Sequence, residues 1–479
     1  MVSGFGIIDY VVVFASFLLT AYLLITEPKR LLWCLPTLVT IDFFIPLISQ
    51  LTPGRLVPLM IAGWWIYSGR LPVRRPIDRW LMVGAGIILV STVGGMAMGD
   101  SGMRPLIRSL NYINLLILCG FTWQFGVKKG GVKMLFQGFA IAGLIHGFYS
   151  MYQMLAYRMG VPYRGIVYDA SGGVGGGGMQ EGGFRINGFA DEPKRLGLVL
   201  LAGTISLLYL AAREKSLTRK PLIQGVAVLI LLVSLFTFST SYLAALLIWF
   251  PVMMLVSRRS WKYGVGLAAV MAFLMLVKAD TVGNYVKDQQ ELMDQREKEM
   301  ELRLDANKVY RQEFFAEDYL KMKPLTAVTG VGMGRYYEVL NKNYGMGAGM
   351  GFDGSLMPFN SQPLELMYDT GILGLLLVYV SGVWIAWHVR NRGTAGYMMA
   401  ILIAFELIQS AFVQSLPILV LAMGAGAAMV WGRRRQMMAN GALMRGKRPI
   451  KKRRPHGRAR SGPARPLVRN AVNEPMTRH

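Results

Sequence analysis

The sequence predicts an all-α fold, a polytopic transmembrane helical bundle of about 12–13 spans with a helical loop outside the membrane. Composition is the first observation. Of the 479 residues, 53% are hydrophobic and 16% are charged, whereas an ordinary soluble domain carries about 25% charged residues. The second observation is that apolar runs of about 17–25 residues, long enough to cross a bilayer as helices, recur along nearly the whole chain. The first run has no basic flank before it, so no cleavable signal is expected.

About thirteen apolar segments are candidate spans. They lie at 5–26, 31–50, 55–69, 80–98, 106–125, 134–157, 195–212, 222–239, 241–256, 262–279, 363–388, 396–413 and 415–431. The third is short enough to be either a span or a re-entrant segment. The predicted organisation has N-terminal spans over 1–157, a loop over 158–194, central spans over 195–279, a large loop over 280–362, C-terminal spans over 363–431 and a tail over 432–479.

Basic residues predict how the spans are oriented, because lysine and arginine concentrate in the loops on the cytoplasmic side. Clusters of these residues occupy alternate connections, at 29–30, 70–79, 128–133, 213–220, 258–259 and 390–392. If these connections are inside, the C-terminus is inside too. The N-terminus and the two long loops, 158–194 and 280–362, are then outside.

The segment from Arg433 onwards differs in composition from the rest of the chain. It holds more than half of the net charge of +25, with Glu474 as its one acid. Such a charge run is expected to be disordered and to attract anionic inner-leaflet lipid. Nucleic-acid binding is not expected, because no aromatic residues or folded module accompany the basic residues.

Cysteine and histidine do not suggest a disulfide framework or a metal site. The two cysteines, Cys34 and Cys119, lie inside apolar runs, and the four histidines are scattered along the chain. A zinc site needs clustered ligands. We therefore expect no metal and no cofactor.

The stretch from Lys323 to Gly374 places a polar, glycine-rich segment directly before an apolar span. Its glycine-rich turn is predicted to expose backbone N–H groups beside Arg335 and Tyr336, an arrangement that can bind an anion. Polar side chains at a helix entrance usually face an aqueous cavity rather than lipid. Those at the next span are Asn360, Gln362, Glu365 and Asp369. The alternative is a solvated loop followed by an interfacial helix start.

A second polar cluster, within FRINGFADEPKRLG, lies at the mouth of the seventh span. Its arginines, Arg185 and Arg195, flank Glu192 and suit bidentate contact with phosphate. The alternative is that these residues pair with one another as interface anchors. Two acids inside apolar runs, Asp42 and Glu406, are functional candidates as well, with structural pairing to an arginine as the alternative.

The large outer loop begins with a charged segment that runs from Lys287 to Met322. Its sparse apolar residues are compatible with one face of a helix, so we predict an amphipathic helix that lies on the membrane face as a cap. Arg311 belongs to this helix and would lie close to the glycine-rich turn.

Four segments, taken in order, resemble the O-antigen ligase and Wzy-type polysaccharide polymerase superfamily of bacterial inner membranes. They are FRINGFADEPKRLG, FSTSYLAAL, RQEFFAEDYLKMKPLTAVTGVGMGRYY and NSQPLELMYDTGILG. The last resembles a segment of the family that begins with His-Asn and ends in Thr-Gly-Ile-x-Gly. A large outer loop before the last few spans also resembles the family's hydropathy profile.

Two positions depart from the family's pattern. Asn360 stands where members often carry histidine, and asparagine cannot act as a general base. Thr240 stands where the family's short outer turn has arginine. Proton removal would then fall to one of the available acids, Asp353, Glu365 or Glu192, or to no side chain. These departures favour a polymerase or a divergent member over a ligase.

The resemblance implies a GT-C-like, metal-independent membrane glycosyltransferase in the bacterial inner membrane, with its N-terminus periplasmic and its C-terminus cytoplasmic. The donor would be an undecaprenyl-diphosphate-linked glycan, and other polysaccharide-assembly proteins are expected partners. The residues expected to neutralise the diphosphate are Arg185, Arg195, Arg311 and Arg335. Asn360, Gln362 and Glu365 would hold sugar hydroxyls, and Tyr336 would stack on a sugar or pack at the lipid interface. A lipid-linked-glycan flippase and a membrane scaffold are the alternative classes.

Overall fold

The computed structural model describes residues 6–41, 52–69, 76–98, 104–161, 163, 166–168, 174–176, 186–190, 193–237, 239, 242–249, 319, 321–336, 361–411 and 416–446. Two compact units divide the chain, Met1–Arg433 and Arg434–His479. Helices account for most of the described residues. The predicted all-α class is therefore confirmed at the level of a helical bundle.

Among its described residues, the first half of the chain contains eight α-helices and one short ribbon. The helices are α1 (Gly6–Thr26), α2 (Leu31–Thr40), α3 (Pro53–Ser68), α4 (Pro76–Met98), α5 (Arg104–Gly126), α6 (Gly131–Met159), α7 (Pro193–Arg213) and α8 (Arg219–Leu235). A short 3₁₀ helix, Pro28–Arg30, precedes α2. The ribbon pairs β1 (Ile166–Tyr168) with β2 (Val174–Gly176) in antiparallel register. This ribbon was not predicted from the sequence, because part of it lies in the glycine-rich stretch, which cannot build a hydrophobic core. Its strands pair through backbone hydrogen bonds, which do not depend on such a core.

The second half continues with α9 (242–249). It is followed by α10 (Pro324–Thr329), α11 (Gln362–Val389), α12 (Gly393–Gln409) and α13 (Pro417–Gly446). The start of the predicted disordered tail, 432–446, is thus helical, because its arginine, methionine, glutamine and alanine residues favour helix. The predicted amphipathic helix falls almost wholly outside the described residues.

Five described helical segments are long and apolar enough to cross a membrane, and they lie within α4, α5, α6, α7 and α11. Shorter apolar helices occur within α1, α12 and α13. Helix is present in each predicted span except 262–279, which lies outside the described part of the chain. By length and composition, these helices indicate a membrane-spanning protein.

Prolines and glycines set several helix ends. Proline stands in the first turn of α3 and of α11, where its missing N–H group has no helical partner to lose. Left-handed glycines end α3 and α6, at Gly69 and Gly160, because an αL residue satisfies the last carbonyls of a helix.

Close contacts between glycines fix the centre of the bundle. α7 is the most buried of the five long apolar segments, and it crosses α6 where Gly143 faces Gly203. A Cβ atom added to Gly143 would lie 2.6 Å from the Cα atom of Gly203. Small residues allow membrane helices to approach this closely. The crossing therefore positions the N-terminal end of α7, which carries Arg195.

The Gly143→Val variant is expected to lower the free energy of unfolding by about 1–3 kcal/mol, the usual cost of overpacking. Gly225→Val on α8 is the matched control, since no described atom lies within 4 Å of a Cβ atom there. Thermal unfolding of the purified protein in detergent, followed by tryptophan fluorescence, measures both. Equal melting temperatures for the two variants would contradict the close crossing of α6 and α7.

Candidate functional site

A cavity of about 380 Å³ lies among α2, α3, α5, α7, α11 and α13. Three arginines from three different helices line it: Arg55, Arg108 and Arg195. Polar side chains that can donate or accept hydrogen bonds join them, at Asn111, Asn114, Gln362 and Glu365. Among the described lining residues Glu365 is the one acid, so this described part of the lining carries a net positive charge.

The ends of four helices strengthen this positive character. α3, α7, α11 and α13 each begin at the cavity, which is lined by Gly54, Arg195, Gln362 and Pro417 from their first turns. The N-terminus of a helix carries unpaired N–H groups and about half a positive charge. An anion inside the cavity would therefore meet both guanidinium groups and helix N-termini.

One face of α5 supplies much of the polar lining. Arg108, Asn111, Tyr112 and Leu115 line the cavity, and they are three, four and seven positions apart, the spacing of one helix face. The Oδ1 atom of Asn114 is buried and makes no hydrogen bond to the described residues. It is therefore an acceptor for which a ligand could supply the donor.

Arg108 is held by two carboxylates that lie one turn apart on α11. Its Nε atom donates to Oδ2 of Asp369 at 2.9 Å, and its terminal nitrogen forms an ion pair with Glu365. The hydroxyl group of Tyr112 donates to the same Asp369 oxygen at 3.1 Å. Asp369 is fully buried, whereas 26% of the Arg108 side chain remains exposed. Arg108 is thus oriented by Asp369 while part of it faces the cavity.

The glycine-rich turn packs directly onto α11 and α4. The Gly334 N–H donates to Oδ1 of Asp369 at 2.9 Å, and the Val331 and Met333 N–H groups donate to the carbonyl oxygens of Tyr368 and Ser91. The prediction that this turn exposes its backbone N–H groups to a ligand is therefore wrong for these three groups, which donate to acceptors of the chain itself. Asp369 consequently joins Arg108 to the turn.

Backbone conformation explains why this turn is rich in glycine. Gly330, Gly332 and Gly334 all have positive φ angles, which L-residues with a Cβ atom rarely adopt. Gly371 interrupts α11 with φ 69° and ψ −171°. A Cβ atom on Gly371 would lie 2.1 Å from the carbonyl oxygen of Val328. The segment 328–330 can therefore pack against the kink in α11 only because glycine occupies both Gly330 and Gly371.

Tyr319 supports the short helix α10 from the side. Its hydroxyl group donates to the carbonyl oxygen of Ala327, and its ring lies 5.9 Å from that of Tyr368. Burial raises the pKa of the Tyr319 phenol above its ordinary value. The phenol therefore remains a protonated donor throughout the neutral range.

The structure brings together some of the residues expected from the sequence and separates others. Arg195, Gln362 and Glu365 line the cavity. Arg335 and Tyr336 lie on the glycine-rich turn and are not among the described residues that line the cavity, and Tyr336 is buried. The residues that fall outside the described part of the chain are Arg185, Glu192, Arg311, Asp353, Asn360 and Asp42.

Sequence reasoning missed most of the other polar lining. Arg55 sits beside Gly54 at the start of a short span and gave no pattern of its own. Asn111 was detectable as a polar residue on the Arg108 face of α5, and Asn114 as a second amide within the same apolar run. Glu406 is buried, and its oxygens make no hydrogen bond to the described residues. It is not among the residues that line the cavity.

Fold and site together define a helical membrane protein with a cationic cavity at the ends of several helices. Comparison with protein-family models and with curated proteins found no match. Among the described residues, no group of three or more histidine, cysteine or acidic side chains is arranged to hold a metal ion.

Proposed function

We propose that this chain is an inner-membrane glycosyltransferase that polymerises undecaprenyl-diphosphate-linked repeat units of an exopolysaccharide, capsule or O-antigen at the periplasmic face. The observation that carries the proposal is the convergence of Arg55, Arg108 and Arg195 on one cavity within the bundle. A lipid diphosphate combines a long apolar chain with a compact polyanion. A cationic cavity inside a membrane bundle matches both parts.

Charge stabilisation is the main task of such an enzyme. When the sugar leaves, negative charge grows on the lipid diphosphate, and preorganised positive groups stabilise it. Arginine forms a planar fork that can hold two phosphate oxygens at once. The helix N-termini around the cavity add fixed partial charges that need no reorganisation during the reaction.

The proposed step transfers one glycan to a sugar hydroxyl. The hydroxyl oxygen attacks the anomeric carbon of the donor, and the bond between that carbon and the phosphate oxygen breaks. The lipid diphosphate leaves with the electron pair. The hydroxyl proton passes to the carboxylate of Glu365, which faces the cavity, and from there to water.

Acceptor binding falls to the amide side chains of the same cavity. Asn111, Asn114 and Gln362 line it, and amides both donate and accept hydrogen bonds as sugar hydroxyls require. Arg185, Arg311 and Arg335 remain proposed diphosphate-binding residues, and Tyr336 remains a proposed sugar-stacking residue. Asp353, Glu192 and Asn360 remain proposed members of the catalytic region.

Reconstitution of the purified protein in liposomes with a lipid-diphosphate-linked repeat unit tests the function. Longer lipid-linked chains, separated by gel electrophoresis, are the expected product, and a chelator should leave their yield unchanged because arginines supply the positive charge. Glycan transfer to added lipid A core would identify a ligase instead. Movement of the donor across the bilayer without new bonds would identify a flippase. A donor that is neither elongated, transferred nor moved would contradict all three functions.

A further inference from the structure

We propose that Glu365 is an exchangeable counter-ion, a carboxylate that holds the place of the ligand on Arg108 and is displaced when a diphosphate enters the cavity. This inference rests on the proposed function, because it takes the diphosphate of the donor as the incoming anion. Arg108 faces the cavity and is paired with Glu365. The cavity therefore contains an anion of the chain itself, the Glu365 carboxylate bound to Arg108.

The two carboxylates that bind Arg108 have different surroundings, and the difference shows which of them can move. Asp369 accepts from Arg108, Tyr112 and the Gly334 N–H at distances of 2.9, 3.1 and 2.9 Å. Glu365 has the ion pair with Arg108 and, from Gln362, one long hydrogen bond of 3.4 Å. Asp369 is therefore fixed by three donors, two on α5 and one on the glycine-rich turn, whereas Glu365 depends chiefly on Arg108.

Position in the cavity separates the same two residues. Glu365 lines the cavity, and Asp369 is not among the described lining residues. An incoming anion can thus reach the Glu365 side of the guanidinium group without disturbing the Asp369 side. Arg108 would stay anchored through its Nε atom while its terminal nitrogen changes partner.

Electrostatics favour the exchange. A diphosphate brings several negative charges to three arginines, whereas Glu365 offers one charge to one arginine. Asp369 already balances the charge of Arg108, so Glu365 is a second negative charge on the same guanidinium group, and its displacement still leaves Arg108 with a buried counter-ion. Once displaced, the carboxylate loses its cationic partner and becomes a better proton acceptor for the acceptor hydroxyl. The base is then released only when the donor is in place.

Binding of farnesyl diphosphate to the purified full-length protein in detergent, measured by titration calorimetry, tests the exchange. Glu365→Gln should bind this probe about tenfold more tightly than the unaltered protein, which corresponds to about 1.4 kcal/mol. Glu365→Asp should also bind more tightly, because the shorter side chain keeps its charge but loses the pair with Arg108. Asp369→Asn should bind more weakly, because Arg108 loses its anchor.

Glu214→Gln is the matched control for charge. Glu214 directly follows the end of α7 opposite to Arg195 and is not among the described residues that line the cavity, so this substitution should leave the affinity for the probe unchanged. In the polymerisation assay, Glu365→Gln should form less product than the unaltered protein in spite of tighter binding. Tighter binding with lower turnover is a combination that simple loss of structure does not produce.

The outcomes separate this inference from the function on which it rests. Unchanged affinity in both Glu365→Gln and Glu365→Asp, with normal binding by the unaltered protein, would overturn the exchange and leave the diphosphate site intact. Tighter binding by Glu365→Gln alone would indicate general charge repulsion rather than displacement, and would also overturn it. Failure of the unaltered protein to bind the probe would count against the proposed function itself.

Discussion

Replacing Arg195 with alanine is expected to lower polymer formation by about 30- to 1,000-fold while the protein remains in the membrane. Arg195 lines the cavity from the first turn of α7, where the guanidinium group and the helix N-terminus would act on the same anion. A charge-assisted contact that strengthens in the transition state contributes roughly 2–4 kcal/mol. Arg195→Lys should restore little activity, because a point charge does not replace a planar fork.

The matched control for this variant is Arg213→Ala, at the other end of the same helix. Arg213 donates to the Tyr209 hydroxyl at 2.7 Å and is not among the described residues that line the cavity. Product is measured by electrophoresis of lipid-linked glycan, normalised to membrane protein. Near-normal polymer from Arg195→Ala would remove Arg195 from the donor site. The same experiment applies to Arg185→Ala and Arg311→Ala.

Replacing Asp369 with alanine is expected to lower the free energy of unfolding by about 2–4 kcal/mol. Removing one partner of a buried ion pair typically costs about 3–5 kcal/mol, and we expect slightly less because Arg108 keeps Glu365. The change also leaves the Tyr112 hydroxyl and the Gly334 N–H without their acceptor. The glycine-rich turn should therefore loosen from α11 in the same variant.

Two measurements check the Asp369→Ala variant. Thermal unfolding in detergent reports stability, and hydrogen exchange at residues 330–336 reports the docking of the turn. Glu214→Gln is the control for loss of charge, because the glutamine oxygen can still accept from the Lys215 and Ser216 N–H groups in this loop. A melting temperature equal to that of the unaltered protein, with unchanged exchange in the turn, would contradict the role of Asp369 as the link between Arg108 and the turn.

The lengths and positions of the apolar runs were sufficient to predict the fold class and most helix positions. Long apolar runs can satisfy their backbone groups in a membrane only as helices or closed barrels, so predicted spans such as 134–157 and 195–212 correspond closely to α6 and α7. The β1–β2 ribbon and the continuation of α13 to Gly446 were not predicted. Both depend on local backbone pairing and helix propensity, which carry little hydropathy signal.

Part of the site could also be predicted from the sequence, because polar residues at the start of a span are easily distinguished from the apolar residues that follow. Arg195, Gln362 and Glu365 were expected from that pattern alone, and all three line one cavity. Arg335 and Tyr336 were expected to face the ligand, but the turn that carries them uses its N–H groups on Asp369, Tyr368 and Ser91. A glycine-rich stretch has the same sequence signature whether it binds a ligand or its own chain.

The sequence by itself determined that this protein is a helical membrane bundle and which span entrances carry polar chemistry, because both follow from the order of residues along single helices. Tertiary structure alone decided that Arg55, Arg108 and Arg195 share a cavity and that Asp369 joins Arg108 to the glycine-rich turn. Arg108 and Asp369 are 261 residues apart in the chain. Helix packing brings such distant residues together, and the close crossing of α6 and α7 at Gly143 and Gly203 is one of the contacts that hold the helices in place.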